Sequence, residues 1–362
     1  MAAMGLWSKL LGTKADEVHG LAGSAAAPSL LAPSPGEPTT IAAIAGKLTV
    51  TFYAHDSVEG ARGNFLSAVS RGFGKHKQGE LVVTLRLSAD DDVPGKMDEI
   101  RRFFVSIHAW VRQRRLAVAG GLTQFGERAP FGRSRSGILY TDARPIDGVE
   151  IPRGALAAVL VDEQEIRTAM DYGAYRILSR IGEQYRHFPF PTWNDLGRKS
   201  VVIEREREHE TVLAKLARSN APNASFLVED EKVTVWLAAR LRAGLGRGIA
   251  SLPARAAFAL LVKPSPKANA LLVWHPGQKE PAAISPDGAD GSRISGSCLL
   301  IVPNAKEDRI RLTEDGYSLL ISADSWAKLS AALVDERPFS LRLAEGVRLS
   351  VELLPDDSMI TA

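Results

Sequence analysis

The side chains able to do chemistry are scattered along the chain. There are seven histidines, at His19, His55, His76, His108, His187, His209 and His275. None falls in an HExxH or similar ligand pair and no CxxC exists, so local spacing builds no zinc or haem site. A site assembled from distant residues stays open. The single cysteine, Cys298, lies in Ser-Cys-Leu-Leu-Ile-Val, which reads as a buried strand where a thiol behaves as a small hydrophobe. No cationic neighbour in sequence would lower its pKa. One cysteine forms no internal disulfide, and the reducing cytoplasm is its natural compartment. The serine motif GxSxG is absent, and Gly291-Ser-Arg-Ile-Ser-Gly resembles it only loosely. Gly120-Gly-Leu-Thr-Gln-Phe-Gly and Gly244-Leu-Gly-Arg-Gly lack the Lys-Ser/Thr ending of a phosphate loop and the context of a dinucleotide site, and read as turns. No cofactor is implied.

Carboxylates are numerous, but no spacing pairs them. Asp90-Asp91-Asp92 has no flanking ligands and reads as a turn before a helix. Asp142 ends one strand and Glu165 begins a helix. Brought together, they would accept hydrogen bonds from the amides or imidazole of a ligand. The plainer readings are a turn residue and a helix cap. A catalytic alternative would use Asp142, Glu165 and His187 as a dispersed site, recognised by converging groups of perturbed pKa.

The elements that must position these residues follow from composition and pattern. At 362 residues the chain is too long for one ordinary core and suggests two domains. Hydrophobic residues make up 45% and charged residues 24%, the balance of a soluble globular protein. With 45 Lys and Arg against 42 acids, the net charge of +3 gives no reason to expect nucleic acid as partner. The basic cluster Arg112, Arg114 and Arg115 reads as a solvated helix end. No apolar run is long enough to span a membrane. Leu6, Trp7, Leu10 and Leu11 have helical spacing, fitting either a short interfacial or partner-binding helix or a frayed tail. This segment lacks the h-region and cleavage site of a secretory signal. The Ala-, Pro-, Ser- and Gly-rich stretch from Gly20 to Thr40 reads as a flexible linker, with structure beginning near Ile41.

Strands are expected over Lys47–Ala54, Glu80–Leu87, Ser136–Thr141, Gly154–Val161 and Val201–Ile203. Ile100, Phe103, Phe104, Ile107, Trp110 and Val111 form the apolar stripe of a helix over Met97–Gln113. Asp162 and Glu165 have capping-box spacing, ahead of one helix buried through Ile166, Met170, Ala174, Ile177 and Ile181. The Gly- and Arg-rich segment Gly120–Gly137 reads as a surface loop. Beyond a boundary between Lys199 and Asn223, strands are expected over Lys232–Ala239, Ala256–Val262, Ala270–Trp274, Ser297–Val302, Tyr317–Ser322 and Val347–Leu354. Ser322 or Asp324 caps a helix through Trp326, Leu329 and Leu333, and Pro281–Gly296 reads as a loop. The expectation is an α+β chain: a flexible tail over 1–40, a first domain over 41–205 and a strand-rich second domain over 206–362. Each domain packs a mixed or antiparallel sheet with helices.

Taken in order, several segments resemble the suppressor-of-fused family. They include Gly79-Glu-Leu-Val-Val-Thr-Leu-Arg-Leu, the Trp110 helix followed by Gly121, Phe125 and Pro130, and Gly137-Ile-Leu-Tyr-Thr-Asp. Pro152-Arg-Gly-Ala-Leu-Ala-Ala-Val-Leu-Val-Asp-Glu-Gln-Glu-Ile and Trp193-Asn-Asp-Leu-Gly-Arg continue the likeness. Leu319-Leu-Ile-Ser-Ala-Asp-Ser-Trp-Ala-Lys-Leu and Val347-Arg-Leu-Ser-Val-Glu-Leu-Leu-Pro-Asp-Asp resemble the family's C-terminal domain. The resemblance runs from Ile41 to Asp357. It implies a non-catalytic clamp holding a protein or extended peptide between two domains, the peptide adding as a strand. Bacterial relatives resemble immunity components of toxin systems. By resemblance Asp142 matches an acidic groove residue, and Glu165 is a second choice in competition with Glu163. Phe125 belongs to the matching aromatic loop. Trp236 is this chain's own candidate for an apolar wall. The long acidic insertion of the animal proteins is missing, so their ligand does not carry over.

Overall fold

A computed structural model describes residues 32–355, apart from 35, 126–128, 133, 203–215, 222, 240, 242–244, 246–255 and 275–280. The apolar residues near the N-terminus, the proposed domain boundary at 206, and His19, His209 and His275 lie outside the described residues.

The N-terminal half builds one mixed sheet. β1 (Thr39–Ile44), β2 (Leu48–Val58), β3 (Ala61–Arg71) and β4 (Leu81–Leu87) run antiparallel in sequence order. The first strand thus includes Thr39 and Thr40, just ahead of the expected start near Ile41. Glu59 and Gly60, with φ of 51° and 80°, close the β2–β3 hairpin with the two positive φ values its twist favours. α1 (Val93–Arg112) starts after Asp92, and its apolar stripe lies against the sheet as its spacing required. β5 (Leu122–Gln124), β6 (Gly137–Asp142) and β7 (Leu156–Val161) complete the order β1-β2-β3-β4-β7-β6-β5. β5 shows that part of the expected Gly120–Gly137 loop is strand.

α2 (Glu163–Tyr172) and α3 (Ala174–Tyr185) cover the opposite face from α1. The sequence pattern read them as one helix. The chain breaks at Gly173, where φ is 94° and ψ 151°, and a Cβ would lie 2.8 Å from Leu261 Cδ1. Periodicity continues across the break because both helices bury their apolar faces in the same cluster. After Leu81 and Val82, β4 leaves β7 and pairs instead with β8 (Trp193–Asp195). Val201 and Val202 form no strand, contrary to their apolar pattern.

The C-terminal half builds two sheets. Its elements are β9 (Ala217–Ala221), β10 (Ala224–Glu229), β11 (Lys232–Ala238), β12 (Phe258–Val262), β13 (Ala270–Val273), β14 (Ala282–Ile284), β15 (Ile294–Ser295), β16 (Cys298–Ala305), β17 (Arg309–Thr313), β18 (Gly316–Ser322), α4 (Ala323–Val334), β19 (Phe339–Arg342) and β20 (Arg348–Leu354). One sheet has the order β14-β13-β15-β10-β11-β20-β19, the other β17-β18-β16-β12-β9. The expected loop Pro281–Gly296 therefore contains two strands, β14 and β15, too short to show a period. Ser322, whose side chain accepts from Ser325 N, is the cap of α4. Phe226, Val235 and Val351 of the first sheet meet Leu260, Ile301 and Leu319 of the second, with Leu329 and Leu333 of α4 in the same core.

Candidate functional site

Two sheet edges from different halves of the chain come together. β5 ends the N-terminal sheet and β9 ends the five-stranded sheet. On β5 the hydrogen-bond phase is fixed from both sides. Phe125 N donates to Ser136 O at 2.7 Å, and Tyr140 N donates to Gly121 O at 3.0 Å. Antiparallel ladders alternate, so the peptide groups of Leu122 and Gln124 face the open edge. On β9, Asn220 Nδ2 donates to Gly120 O at 3.1 Å, and Arg218 Nη2 donates to Met170 O near the end of α2 at 3.2 Å. These two side chains, two residues apart, point from one face of β9 toward the N-terminal half.

The same face of the five-stranded sheet carries the rest of the contact. Ala259, Leu261, Cys298 and Leu300 form a buried cluster with Tyr172 against it. Gly173 admits Leu261 here, which is why this position carries no side chain. Arg176, only 2% exposed, lies between the rings of Tyr172 and Trp274, at 4.6 and 4.7 Å from their centroids. Its Nε is 3.1 Å from Asp315 Oδ2. Asp315 also accepts from Trp274 N. Burial pushes the Cys298 thiol up, and Asp315 adds to the effect, so the thiol stays protonated and unreactive.

Asp142, at the end of β6, forms an ion pair with Lys263, just past the end of β12. β6 adjoins β5 and β12 adjoins β9, so this pair is a second link between the two halves beside the Asn220–Gly120 bond. Burial pushes the Lys263 ammonium down to about 8.

Phe125 follows β5 and is buried against Trp110 and Phe103, where it fixes the edge strand from below. Glu165 is 0% exposed. It completes the capping box with Asp162, accepts from Val201 N at 2.9 Å, and meets Arg198 through both oxygens at 2.5 and 2.6 Å. No acceptor capacity faces outward. Trp236 stands in the seven-stranded sheet, where its Nε1 donates to Glu352 at 2.8 Å and Lys267 lies over its ring at 5.2 Å. It is not on the sheet that contributes β9. His187 Nε2 is 3.0 Å from Glu59 Oε2. Burial raises the Glu59 pKa, but the bonds from His187 and Thr192, with Arg144 nearby, hold it below its ordinary value. Asp142, Glu165 and His187 thus have three separate partners. Among the described residues no three His, Cys, Asp or Glu side chains converge as metal ligands. Lys263, Arg218, Asn220 and Arg176 carry no sequence signal, because only the meeting of the two halves gives them a role.

The fold is that of an α+β protein in which the terminal strands of two sheets are linked by a side-chain hydrogen bond. Neither a family model nor a curated protein matches the chain. Among solved structures it shows a weak likeness of fold to the crystal structure of Drosophila Suppressor of Fused. The TM-score is 0.33 and the identity 8%, over 84% of this chain and 88% of that one. Both values are too low to transfer a function.

Proposed function

We propose that this chain is a non-catalytic binding protein whose two domains, meeting at the crevice, take an extended segment of a partner polypeptide. The observation that carries this reading is the pair of sheet edges, β5 and β9, each terminal in its own sheet and stapled near one another through Asn220 and Gly120. Outward peptide groups at Leu122 and Gln124 have no partner strand among the described residues and can bond an added strand, as in β-augmentation. Asp142 is the polar contact of the crevice and Phe125 supports the edge, while Glu165 and Trp236 serve the scaffold. Neutralising a toxin as an immunity protein is one form this role takes.

Gln124→Pro removes an outward N–H without touching the β6 ladder. Affinity capture with the full chain from its native cell should recover a polypeptide partner. The Gln124→Pro and Asp142→Asn variants should lose it by at least tenfold at near-unchanged melting temperature. Capture unaffected by both variants would remove the crevice from the reading.

A further inference from the structure

A second surface lies at the C-terminal end of α1. Three segments distant in sequence converge there. The β1–β2 turn ends in Lys47, and a Cβ on Gly72 would lie 2.2 Å from Lys47 O, so this turn abuts the next. That next segment, the short 3-10 turn Phe73–His76 with Lys77, places the His76 ring 5.3 Å from that of His108 on α1. The chain leaving α1 is held to the same turn by Gln78, which accepts from Ala117 N at 2.7 Å and donates to Ala117 O at 3.2 Å.

The charge at this junction has one sign. Segments 45–47, 72–78 and 112–118 contain Lys47, Lys75, Lys77, Arg112, Arg114 and Arg115 and no Asp or Glu. Among the described residues Lys47, Lys75, Lys77, Arg112 and Arg114 form no ion pair. All five are exposed. The nearest acid in sequence, Glu80, is turned inward onto Ser70 Oγ, Gly72 N and Gly74 N. Burial, then the nearby His76, Arg112 and Lys47, hold His108 below its ordinary pKa.

Apolar exposure coincides with this charge. Leu116 is 44% and Val118 56% exposed, on either side of the inward Ala117. They are two of only five large hydrophobic residues exposed among those described, and none of the five is aromatic. Cations beside protruding aliphatic side chains suit a lipid surface, where the charges meet headgroups and the aliphatic groups enter the acyl boundary. Nucleic-acid grooves instead favour aromatic platforms for stacking.

We propose that Lys47, Lys75, Lys77, Arg112 and Arg114, with Leu116 and Val118, form a docking surface for an anionic phospholipid membrane. Each cation close to such a surface contributes about fivefold to partitioning. The full chain should therefore co-sediment with phosphatidylcholine vesicles containing phosphatidylserine at about 0.1 M salt, and not with phosphatidylcholine alone. The triple variant Lys75→Glu, Lys77→Glu, Arg114→Glu should bind on the order of a hundredfold more weakly with an unchanged melting curve. Leu116→Ser with Val118→Ser should lose on the order of tenfold. Three results would overturn the proposal. One is no binding to the anionic vesicles. Another is binding indifferent to the triple reversal but lost on Leu6→Ser with Trp7→Ser, which assigns it to the N-terminal segment. The third is tight binding of single- or double-stranded nucleic acid at the same salt with none to vesicles. Gln124→Pro leaves this surface intact and should not change vesicle binding, so its failure and that of the crevice reading are separable.

Discussion

Glu165 shows how a residue chosen for its chemistry becomes scaffold. Its carboxylate is enclosed by Arg198, Asp162 N and Val201 N. Removing one member of a buried pair strands the other, so Glu165→Ala should destabilise by about 3–5 kcal/mol in denaturant titration. Replacing Glu165 and Arg198 together with methionine should cost less, because no charge is then left uncompensated, although Asp162 N, Val201 N and Leu160 O each lose a partner. Lys263 makes a pH prediction. Its folded value of about 8 lies below the 10.5 of the free side chain, so between these two pH values the unfolded chain holds more protons. Stability should therefore rise with pH across that window, by about 1–3 kcal/mol. Denaturant midpoints from pH 7 to 10.5 should show this rise, and Lys263→Met should flatten it. A rise of equal size in the variant would assign it to other groups.

Element by element, the unusual feature is the split between β4 and β7. The two strands pair only at Leu81 and Val82, after which β8 enters. The Asn194 side chain then stands in for the ladder. Nδ2 donates to Thr84 O and Ala158 O, both at 3.0 Å, and Oδ1 accepts from Leu160 N at 2.6 Å. Asn194→Ala leaves three buried backbone groups without partners and should cost about 2–4 kcal/mol. Asn194→Asp should be no better, since a carboxylate would face two carbonyl oxygens. A midpoint within experimental error of the parent would show that water replaces the amide. Trp193-Asn-Asp is visible in sequence as a segment, but its strand is three residues long and its polar centre points inward. Nothing in an alternating pattern announces that. β3 is hidden for a related reason: Phe65 to Ser70 is buried without interruption, both faces being covered, so the period of two is lost.

At the scale of the whole molecule, Arg176 is a buried contact between the halves. It is buried between Tyr172 and Trp274 and faces Asp315, itself 2% exposed. Arg176→Ala should leave Asp315 buried without its cation, at a cost of about 3–5 kcal/mol. Part of that strain is relieved if the halves separate, so small-angle scattering should report a larger radius of gyration. An unchanged radius and melting temperature would show that the apolar cluster around Leu261 suffices alone. The Asp142–Lys263 pair is a second link between the same halves and is partly exposed, so its loss should change partner capture more than stability.

The chain's own pattern determined the long amphipathic elements, the capping box at Asp162, the buried strand holding Cys298, and the mixed α+β character. Each of these depends on neighbours within a few residues, where spacing and burial are directly coupled. Tertiary structure alone decided the break at Gly173, the wedge at β8, the burial of Glu165, the pairing of Asp142 with Lys263, and the approach of β5 to β9. These depend on groups far apart in sequence. Their energies come from which charges lose water together and which backbone groups find partners, and spacing along one strand does not encode either.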